Sequence, residues 1–343
     1  MKAFIVSINS KSEEEKTSIQ IFGRLENQKS FVAIIPFTPY FFIKEKDEQK
    51  ASLLLEKTKV EKTKLVNKNN EPVIKVSHES QTEINKIVKT IHQKNLNTYE
   101  ADLNPTIRYI IDNDLYGTIE ISGESEPSEK VDLVFINPLI KPAEAKIPLK
   151  VVSIDIESNK NNKEIFCIGL YSKNYEKNFL ISEKKVERAV QCKDEREVLS
   201  KFRDEINSFD PDIITGWNIV DFDLNSLKQK FEEHNIPFDF GRTNERIRIK
   251  IEDNFFRNSS ATIPGRQVLD GLNLIKDPFI QEAPSIKNKE FESYTLEDVS
   301  QEMLGEGKII SGKDRHDEIE KLFKSDKDKL VKYNIQDCKL AYN

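Results

Sequence analysis

The residues best suited to chemistry begin with a pair of acids, Asp155 and Glu157, in a strand-like run. Because successive side chains of a strand alternate between faces, both carboxylates project to one side and the apolar residues beside them to the other. Two carboxylates held together in this way are costly unless a cation compensates them. Ligands that are all oxygen atoms suit Mg²⁺ or Mn²⁺. The alternative interpretation is a strand end with two exposed acids.

A second polar segment, with Asn218, Phe222 and Asp223, connects a short strand to a helix. Side chains at such a junction are presented at the end of a sheet, where binding and catalytic residues are common. In the alternative interpretation, Asp221 or Asp223 only caps the helix that follows.

A third pair, Tyr333 and Asp337, is spaced four residues apart on an amphipathic helix, so that both side chains share one face. Tyr294 and Asp298 have the same spacing. Residues 295–298, however, have the form of a capping box, which gives Asp298 a structural role at the start of a helix.

A basic segment alternates Arg246, Arg248 and Lys250 with isoleucines. A strand with this pattern places three cations on one face, where they could follow a nucleic-acid backbone. The alternative is the solvated outer face of an ordinary sheet.

The elements that must position these residues lie in the second half of the chain. An antiparallel meander of three strands is predicted, followed by a helix, a short strand and a second helix. Their predicted ranges are 151–156, 165–171, 178–181, 195–208, 213–215 and 223–234. This order favours an α/β or α+β sheet that is covered by helices.

The first half has a different pattern and is predicted to be β-rich with a helical insert. Strand-like runs occur at 3–8, 18–23, 30–35 and 40–44, and the Lys/Glu-rich segment 44–64 predicts a solvated helix. Glycine and proline are dense between residues 114 and 148, which places a domain boundary near residue 147. We therefore expect domains at 1–147 and 148–343.

Composition excludes several classes of protein. With 53 lysines and arginines against 59 acids, the net charge is -6, so bulk charge does not bind this chain to polyanions. No apolar run approaches the roughly 20 residues that cross a bilayer. Three widely spaced cysteines and four histidines form neither a disulfide framework nor a zinc motif. We expect a protein of the reducing cytoplasm without a membrane span.

Together the three acidic segments are more specific than any one of them. Their order and spacing resemble the three motifs of proofreading 3′→5′ exonucleases. The surrounding sequence is similar to family B DNA polymerases, in particular the bacterial DNA polymerase II branch. The similar segments are LKVVSIDIE (149–157), DPDIITGWN (210–218), EMLGEGK (302–308) and, in the first half, YEADL (99–103) with RYI (108–110).

Two features depart from the family pattern. Ser158 stands where the family usually has threonine, a conservative change. The family's polymerase motifs, a Ser-Leu-Tyr-Pro-Ser stretch and an Asp-Thr-Asp core, do not occur in this sequence. We expect the N-terminal and exonuclease part of a longer DNA-directed DNA polymerase, which by itself does not polymerise DNA.

The resemblance implies a family B N-terminal domain over 1–147 and a ribonuclease H-like exonuclease domain over 148–343. It implies two Mg²⁺ or Mn²⁺ ions, roughly 4 Å apart, held by Asp155, Glu157, Asp223 and Asp337. Tyr333 would orient the attacking water. Asn218 and Phe222 would contact the terminal nucleotide, although packing beside the site is an equal alternative for both.

The implied partner is DNA with a single-stranded or frayed 3′ end, bound by a monomer at the nucleoid in the cytoplasm of a prokaryote. The alternative function is a catalytically silent scaffold that binds nucleic acid.

Overall fold

The computed structural model describes residues 1–13, 15–161, 163–252, 258–310 and 315–343. Runs of β-branched and aromatic residues form most of its strands. The chain forms two compact units, Met1–Ile147 and Pro148–Asn343. In the described residues, no helix is both long and apolar enough to span a bilayer.

The first unit is rich in strands. Its elements are, in chain order, β1 (Lys2–Glu13), β2 (Lys16–Leu25), β3 (Ser30–Phe37), β4 (Tyr40–Lys44), α1 (Glu48–Leu55), β5 (Lys59–Val66), β6 (Pro72–Ser77), α2 (Gln81–Gln93), β7 (Thr98–Tyr99), α3 (Pro105–Asp112), β8 (Thr118–Ser122), β9 (Ser125–Glu126), β10 (Leu133–Ile136) and β11 (Leu139–Pro142). The strands form a seven-stranded sheet in the order β11-β8-β1-β2-β3-β10-β9 and a four-stranded sheet in the order β5-β6-β4-β7.

The helix predicted over residues 44–64 is wrong in its second half. Helix α1 ends at Leu55, whose carbonyl oxygen accepts hydrogen bonds from the Thr58 backbone N–H at 2.9 Å and from the Thr58 hydroxyl at 2.7 Å. The chain then continues as β5, which pairs antiparallel with β6. The β-branched residues of this segment favour a strand, and pairing with β6 overrides its Lys/Glu-rich composition.

The second unit mixes strands and helices. Its elements are β12 (Val151–Ser158), β13 (Ile165–Ser172), β14 (Tyr175–Ile181), β15 (Val190–Cys192), α4 (Glu195–Phe209), β16 (Ile213–Gly216), a π-helical turn (Val220–Leu224), α5 (Asn225–Glu233), β17 (Arg248–Lys250), β18 (Ser260–Thr262), β19 (Gln267–Asp270), α6 (Gly271–Lys276), α7 (Pro278–Gln281), α8 (Leu296–Leu304), α9 (Arg315–Ser325) and α10 (Lys327–Tyr342).

A six-stranded mixed sheet organises this unit, in the order β15-β14-β13-β12-β16-β19. Strands β12, β13 and β14 are the predicted antiparallel meander, while β16 runs parallel to β12 and β19 runs parallel to β16. The predicted α/β fold class, with a β-rich first half and a mixed sheet flanked by helices, is confirmed.

The two faces of this sheet have different partners. Val152, Ile154 and Ile156 of β12 pack into a buried core with apolar residues of α4 and α5. On the opposite face, Cys167 of β13 and Leu180 of β14 pack with residues of α9 and α10. Asp155 and Glu157 alternate with the core residues of β12 and therefore lie on the α10 face.

Helix α10 approaches the sheet closely at Gly169 of β13. A Cβ atom at this position would overlap the Asn334 side chain and lie 2.9 Å from the Cys338 Sγ atom. Gly169 thus allows two successive turns of α10 to lie directly on the strand.

Candidate active site

Three of the predicted acids meet where β12 faces α10. One carboxylate oxygen from each of Asp155, Glu157 and Asp337 lies within 4.8 Å of the other two. We call these three residues the carboxylate cluster. Glu157 is 3% exposed and Asp337 is 2% exposed, whereas Asp155 is partly exposed. Strand alternation places the first two side by side, and the apolar stripe of α10 brings the third onto them.

Asp223 lies outside this 4.8 Å group but is held against the same strand. Its Oδ1 atom accepts a hydrogen bond of 3.1 Å from the Ile156 backbone N–H. Asp223 belongs to the π-helical turn, in which the Leu224 N–H donates to the Ile219 carbonyl at 2.8 Å. Neither this turn nor α5 has a side-chain N-cap, so the alternative in which Asp221 or Asp223 only caps the helix is wrong. Turns of this kind are frequent at functional sites.

Burial and mutual repulsion raise the pKa values of these carboxyl groups. Burial, and then the charge of Asp337, raises the pKa of Asp155 to about 7. Burial, and then the charge of Asp155, raises the pKa values of Glu157 and Asp223 well above their usual ranges. Burial also raises the pKa of Asp337, although the nearby Lys308 opposes this effect. Negative charge in this site is therefore costly without additional cations.

Two buried polar atoms at the site have no hydrogen-bond partner within the part of the chain that the structure describes. They are the Tyr333 hydroxyl oxygen and the Asp337 Oδ1 atom. Burial, followed by the charge of Glu157, raises the pKa of Tyr333 far above its usual range, so its hydroxyl group remains protonated. The unpaired carboxylate oxygen and the closely spaced acids fit the oxygen-ligand preference of a divalent cation.

Two cations beside the acids were not predicted from the sequence. The Lys308 Nζ atom lies 2.5 Å from the Asp337 Oδ2 atom, in an ion pair that is almost fully buried. Burial lowers the pKa of Arg315, at the start of α9, but the charges of Glu157, Asp155 and Asp337 are close enough to raise it overall. Lys308 is the last residue of the family-like segment 302–308, but nothing in the sequence predicted that it pairs with Asp337.

Asn334 is a third residue that sequence reasoning missed. It is fully buried on α10 and donates a hydrogen bond of 2.7 Å to the Asp155 Oδ2 atom. Its position within the apolar stripe of the helix was an available signal, because a polar residue in a buried stripe normally has a specific partner.

An open cleft of about 690 Å³ leads to Asp155 and Asp223. Its lining includes the predicted Asn218 and Phe222, together with aromatic, apolar and cationic side chains. Among these are Trp217, Leu272, Tyr294, Lys308 and Arg315. The cleft thus combines flat apolar surfaces with positive charge, next to the carboxylates.

The basic segment lies elsewhere on the second unit. Arg246, Arg248 and Lys250 are exposed and do not line the cleft, while Ile247 is buried in the core. Strand β17 covers only Arg248–Lys250 of the predicted alternation. Its substrate-binding role stays a prediction.

Asp298 has the structural role that its sequence predicted. It accepts hydrogen bonds from the Ser293 and Thr295 hydroxyl groups, which lower its pKa, while its own backbone N–H donates to the Thr295 hydroxyl at 3.2 Å. It lies at the cleft wall but outside the carboxylate cluster.

Fold and site together define an α/β domain with a buried, incompletely neutralised group of carboxylates at the base of a cleft. Residues 96–299 match the family model for DNA polymerase family B, exonuclease domain. The chain belongs to DNA polymerase family B and contains its exonuclease domain.

Two relatives show how far the similarity extends. DNA polymerase II of Escherichia coli (strain K12) is 31% identical over 263 residues, which is 74% of this chain and 31% of that protein. A DNA polymerase of Archaeoglobus fulgidus is 27% identical over 334 residues, or 92% of this chain and 39% of that protein. The chain therefore spans about a third of the length of these relatives.

The fold also occurs in a solved structure, that of the family B DNA polymerase from Pyrobaculum calidifontis. It superposes with a TM-score of 0.73 at 17% sequence identity, over 99% of this chain and 45% of that chain. This likeness shows that the chain shares its fold with the corresponding part of that polymerase.

Proposed function

We propose that this chain is a metal-dependent 3′→5′ DNA exonuclease that removes nucleoside monophosphates from DNA 3′ ends. The carboxylate cluster is the observation that carries the proposal. Three acids with ligand oxygens within 4.8 Å of one another lie beside a cleft, two of them buried, with Asp223 on the adjacent turn. Buried acids that serve only stability are normally paired with cations, whereas this group has more acids than neighbouring cations among the residues that the structure describes.

The proposed cofactor is a pair of Mg²⁺ or Mn²⁺ ions held by Asp155, Glu157, Asp223 and Asp337. Bound divalent ions lower the pKa of water and stabilise charge on the leaving oxygen of a phosphodiester. Asp155 is the partly exposed member of the carboxylate cluster and would hold an ion at the cleft. The unpaired Asp337 Oδ1 atom is a second available ligand.

The remaining side chains position the substrate. Because the pKa of Tyr333 is raised, its hydroxyl group donates a hydrogen bond and orients water rather than removing a proton from it. Lys308 and Arg315 provide positive charge for a phosphate group. Phe222 offers an aromatic face for stacking on the terminal base, and Asn218 a polar contact beside it.

In this proposal, residues 1–147 are the family B N-terminal domain and 148–343 the exonuclease domain. The activity would proofread DNA synthesis in replication or repair by a DNA-directed DNA polymerase. The protein would act as a monomer on single-stranded or frayed DNA ends, at the nucleoid in the cytoplasm.

The test compares single strands labelled at the 3′ end and at the 5′ end, with Mg²⁺ and with EDTA. We expect the 3′ label to be released first as a mononucleotide, and EDTA or Asp155→Ala/Glu157→Ala to abolish this release. Asp223→Asn should also abolish it, while Asp221→Asn, an exposed acid on the same turn, should not. Degradation that survives EDTA would contradict the proposal. Binding without degradation would instead favour the alternative, a catalytically silent scaffold.

A further inference from the structure

Three residues form a row across the sheet beneath α10. Asp155 of β12 pairs with Gly169 of β13, and Gly169 pairs with Asn178 of β14. Directly paired residues of antiparallel strands point to the same face. The missing side chain of Gly169 therefore leaves a gap between Asp155 and Asn178, on the face that α10 covers.

The Asn334 side chain fills this gap. Its Nδ2 atom donates to the Asp155 Oδ2 atom at 2.7 Å and to the Asp155 carbonyl oxygen at 3.1 Å. Its Oδ1 atom accepts a hydrogen bond of 2.6 Å from the Asn178 Nδ2 atom. Asn178 and Asn334 are both fully buried. The Asn334 amide group thus contacts both the main chain and the side chain of Asp155, and Asn178 holds the same amide group from the other side.

The chemistry of the groups fixes the orientation of this amide. A backbone carbonyl oxygen only accepts hydrogen bonds, so the Asn334 NH₂ group, which contacts the Asp155 carbonyl oxygen, must face Asp155. Its oxygen atom must then face a donor, and the Asn178 NH₂ group is that donor. Flipping the amide would break both contacts and leave buried polar atoms unpaired, at a substantial cost in free energy.

We propose that Asn334 is a positioning residue that fixes the Asp155 carboxylate for divalent-cation binding, and that Asn178 acts through Asn334. The inference rests on the proposed function, since it assumes that Asp155 is a metal ligand. Hydrogen bonds to metal-ligating side chains typically set the orientation of the ligand. Helix α10 thereby provides both a ligand, Asp337, and the group that orients another ligand.

The test measures Mn²⁺ affinity of the 343-residue chain from the electron paramagnetic resonance signal of free Mn²⁺. Asn334→Leu keeps the branched arrangement of side-chain heavy atoms but makes none of the three hydrogen bonds, and we expect it to weaken binding by about 10- to 100-fold. Asn178→Leu should weaken binding less, because Asn334 can still donate to Asp155. The double variant should bind like Asn334→Leu alone, since Asn178 has no separate path to the metal.

Cys338→Ala is the matched control for a merely structural effect. Cys338 is buried one turn beyond Asn334 and also lies against Gly169. This substitution should lower the unfolding temperature but leave Mn²⁺ affinity close to that of the unchanged chain. In exonuclease assays over a range of DNA concentrations, Asn334→Leu should lower kcat more than it raises KM, because the DNA-binding cleft is intact.

The outcomes separate the inference from the proposed function. If the unchanged chain binds no Mn²⁺, the metal site itself is wrong. If it binds Mn²⁺ but Asn334→Leu binds equally well, or loses no more affinity than Cys338→Ala, then Asn334 is not a positioning residue. Additive losses in the double variant would show that Asn178 does not act through Asn334.

Discussion

Two groups of buried charged residues lie at different ends of β16 and are organised in different ways. The carboxylate cluster and Asp223 lie beyond the carboxyl end of the strand. At its amino end lies the arginine cluster, which we define as Asp210, Asp212, Arg242 and Arg266. Both groups are built on the same sheet, so the fold does not explain the difference between them.

The arginine cluster is balanced in charge and rich in hydrogen bonds. The Arg242 Nε atom donates to the Asp210 Oδ1 atom at 2.8 Å, and its Nη2 atom donates to the Asp212 Oδ1 atom at 2.8 Å. Arg266 donates to the Asp210 Oδ1 atom at 2.7 Å and to the Phe240 carbonyl oxygen at 2.9 Å. Two acids face two arginines, and backbone carbonyl groups accept the further guanidinium hydrogens.

The carboxylate cluster has fewer compensating contacts. Lys308 pairs with Asp337, and Arg315 is nearby, but the pKa values of all four acids remain raised. The degree to which buried charges are compensated within the chain therefore distinguishes a ligand site from a structural cluster in the same domain. Buried charge with complete internal pairing stabilises the fold, whereas buried charge without it indicates a binding partner from outside the chain.

The largest expected effect is the loss of an arginine from the balanced group. Arg242→Met removes the buried guanidinium group that donates to both Asp210 and Asp212, and we expect the free energy of unfolding to fall by about 3–5 kcal/mol. Urea denaturation measures this change. Arg246→Met, an exposed arginine of the same unit, is the matched control and should change stability by less than about 0.5 kcal/mol. Equal effects of the two substitutions would remove the distinction between the clusters.

The sequence predicted the part of the site that depends on local geometry. Alternation along β12 predicted that Asp155 and Glu157 share one face of the strand. Helical spacing predicted that Tyr333 and Asp337 share one face of α10. These are consequences of the repeat of a single element, which a sequence displays directly. The six elements of the second unit that were predicted with ranges match the structure to within a few residues for the same reason.

Contacts between elements were beyond the reach of sequence alone. Lys308 comes from the segment after α8, and Asn334 reaches Asp155 only because Gly169 lets α10 lie close to β13. The cations of β17 alternate as expected, yet their distance from the cleft depends on packing that no local pattern encodes. The same limit explains the error over residues 44–64, where pairing with β6 decides the structure.

The second expected effect is stabilisation by metal, which should occur at one cluster only. A ligand that binds the folded chain at 100 times its Kd adds about 2.7 kcal/mol to the free energy of unfolding. We expect Mn²⁺ to raise the unfolding temperature of the unchanged chain and of Arg242→Met by similar free energies. Asp155→Asn/Glu157→Gln should remove this gain, which thermal denaturation with and without Mn²⁺ would measure. A gain that persists in the double variant would place the metal elsewhere.

The smallest expected effect is a dependence of stability on pH in the absence of metal. The pKa of Asp155 is about 7 in the folded chain, whereas an unfolded aspartate ionises near pH 4. Because the folded pKa is the higher one, protonation of Asp155 favours the folded state. This stabilisation is complete below about pH 4 and is lost as the pH rises to about 7.

Thermal denaturation in EDTA between pH 5 and pH 8 measures this loss. A tenfold change in an ionisation constant corresponds to about 1.4 kcal/mol, and each kcal/mol shifts the unfolding temperature of a unit of this size by roughly 2–4 °C. We expect the unfolding temperature to decrease as the pH rises, and to decrease less steeply in Asp155→Asn. Arg242→Met should keep the steeper slope. In the unchanged chain, burial and then the charge of Arg242 lower the pKa of Arg266 to about 10, which is already above this pH range. Removing Arg242 takes away one of the two causes that lower it. Equal slopes in the unchanged chain and Asp155→Asn would mean that Asp155 is already compensated without metal, and the two clusters would then differ less than their contacts indicate.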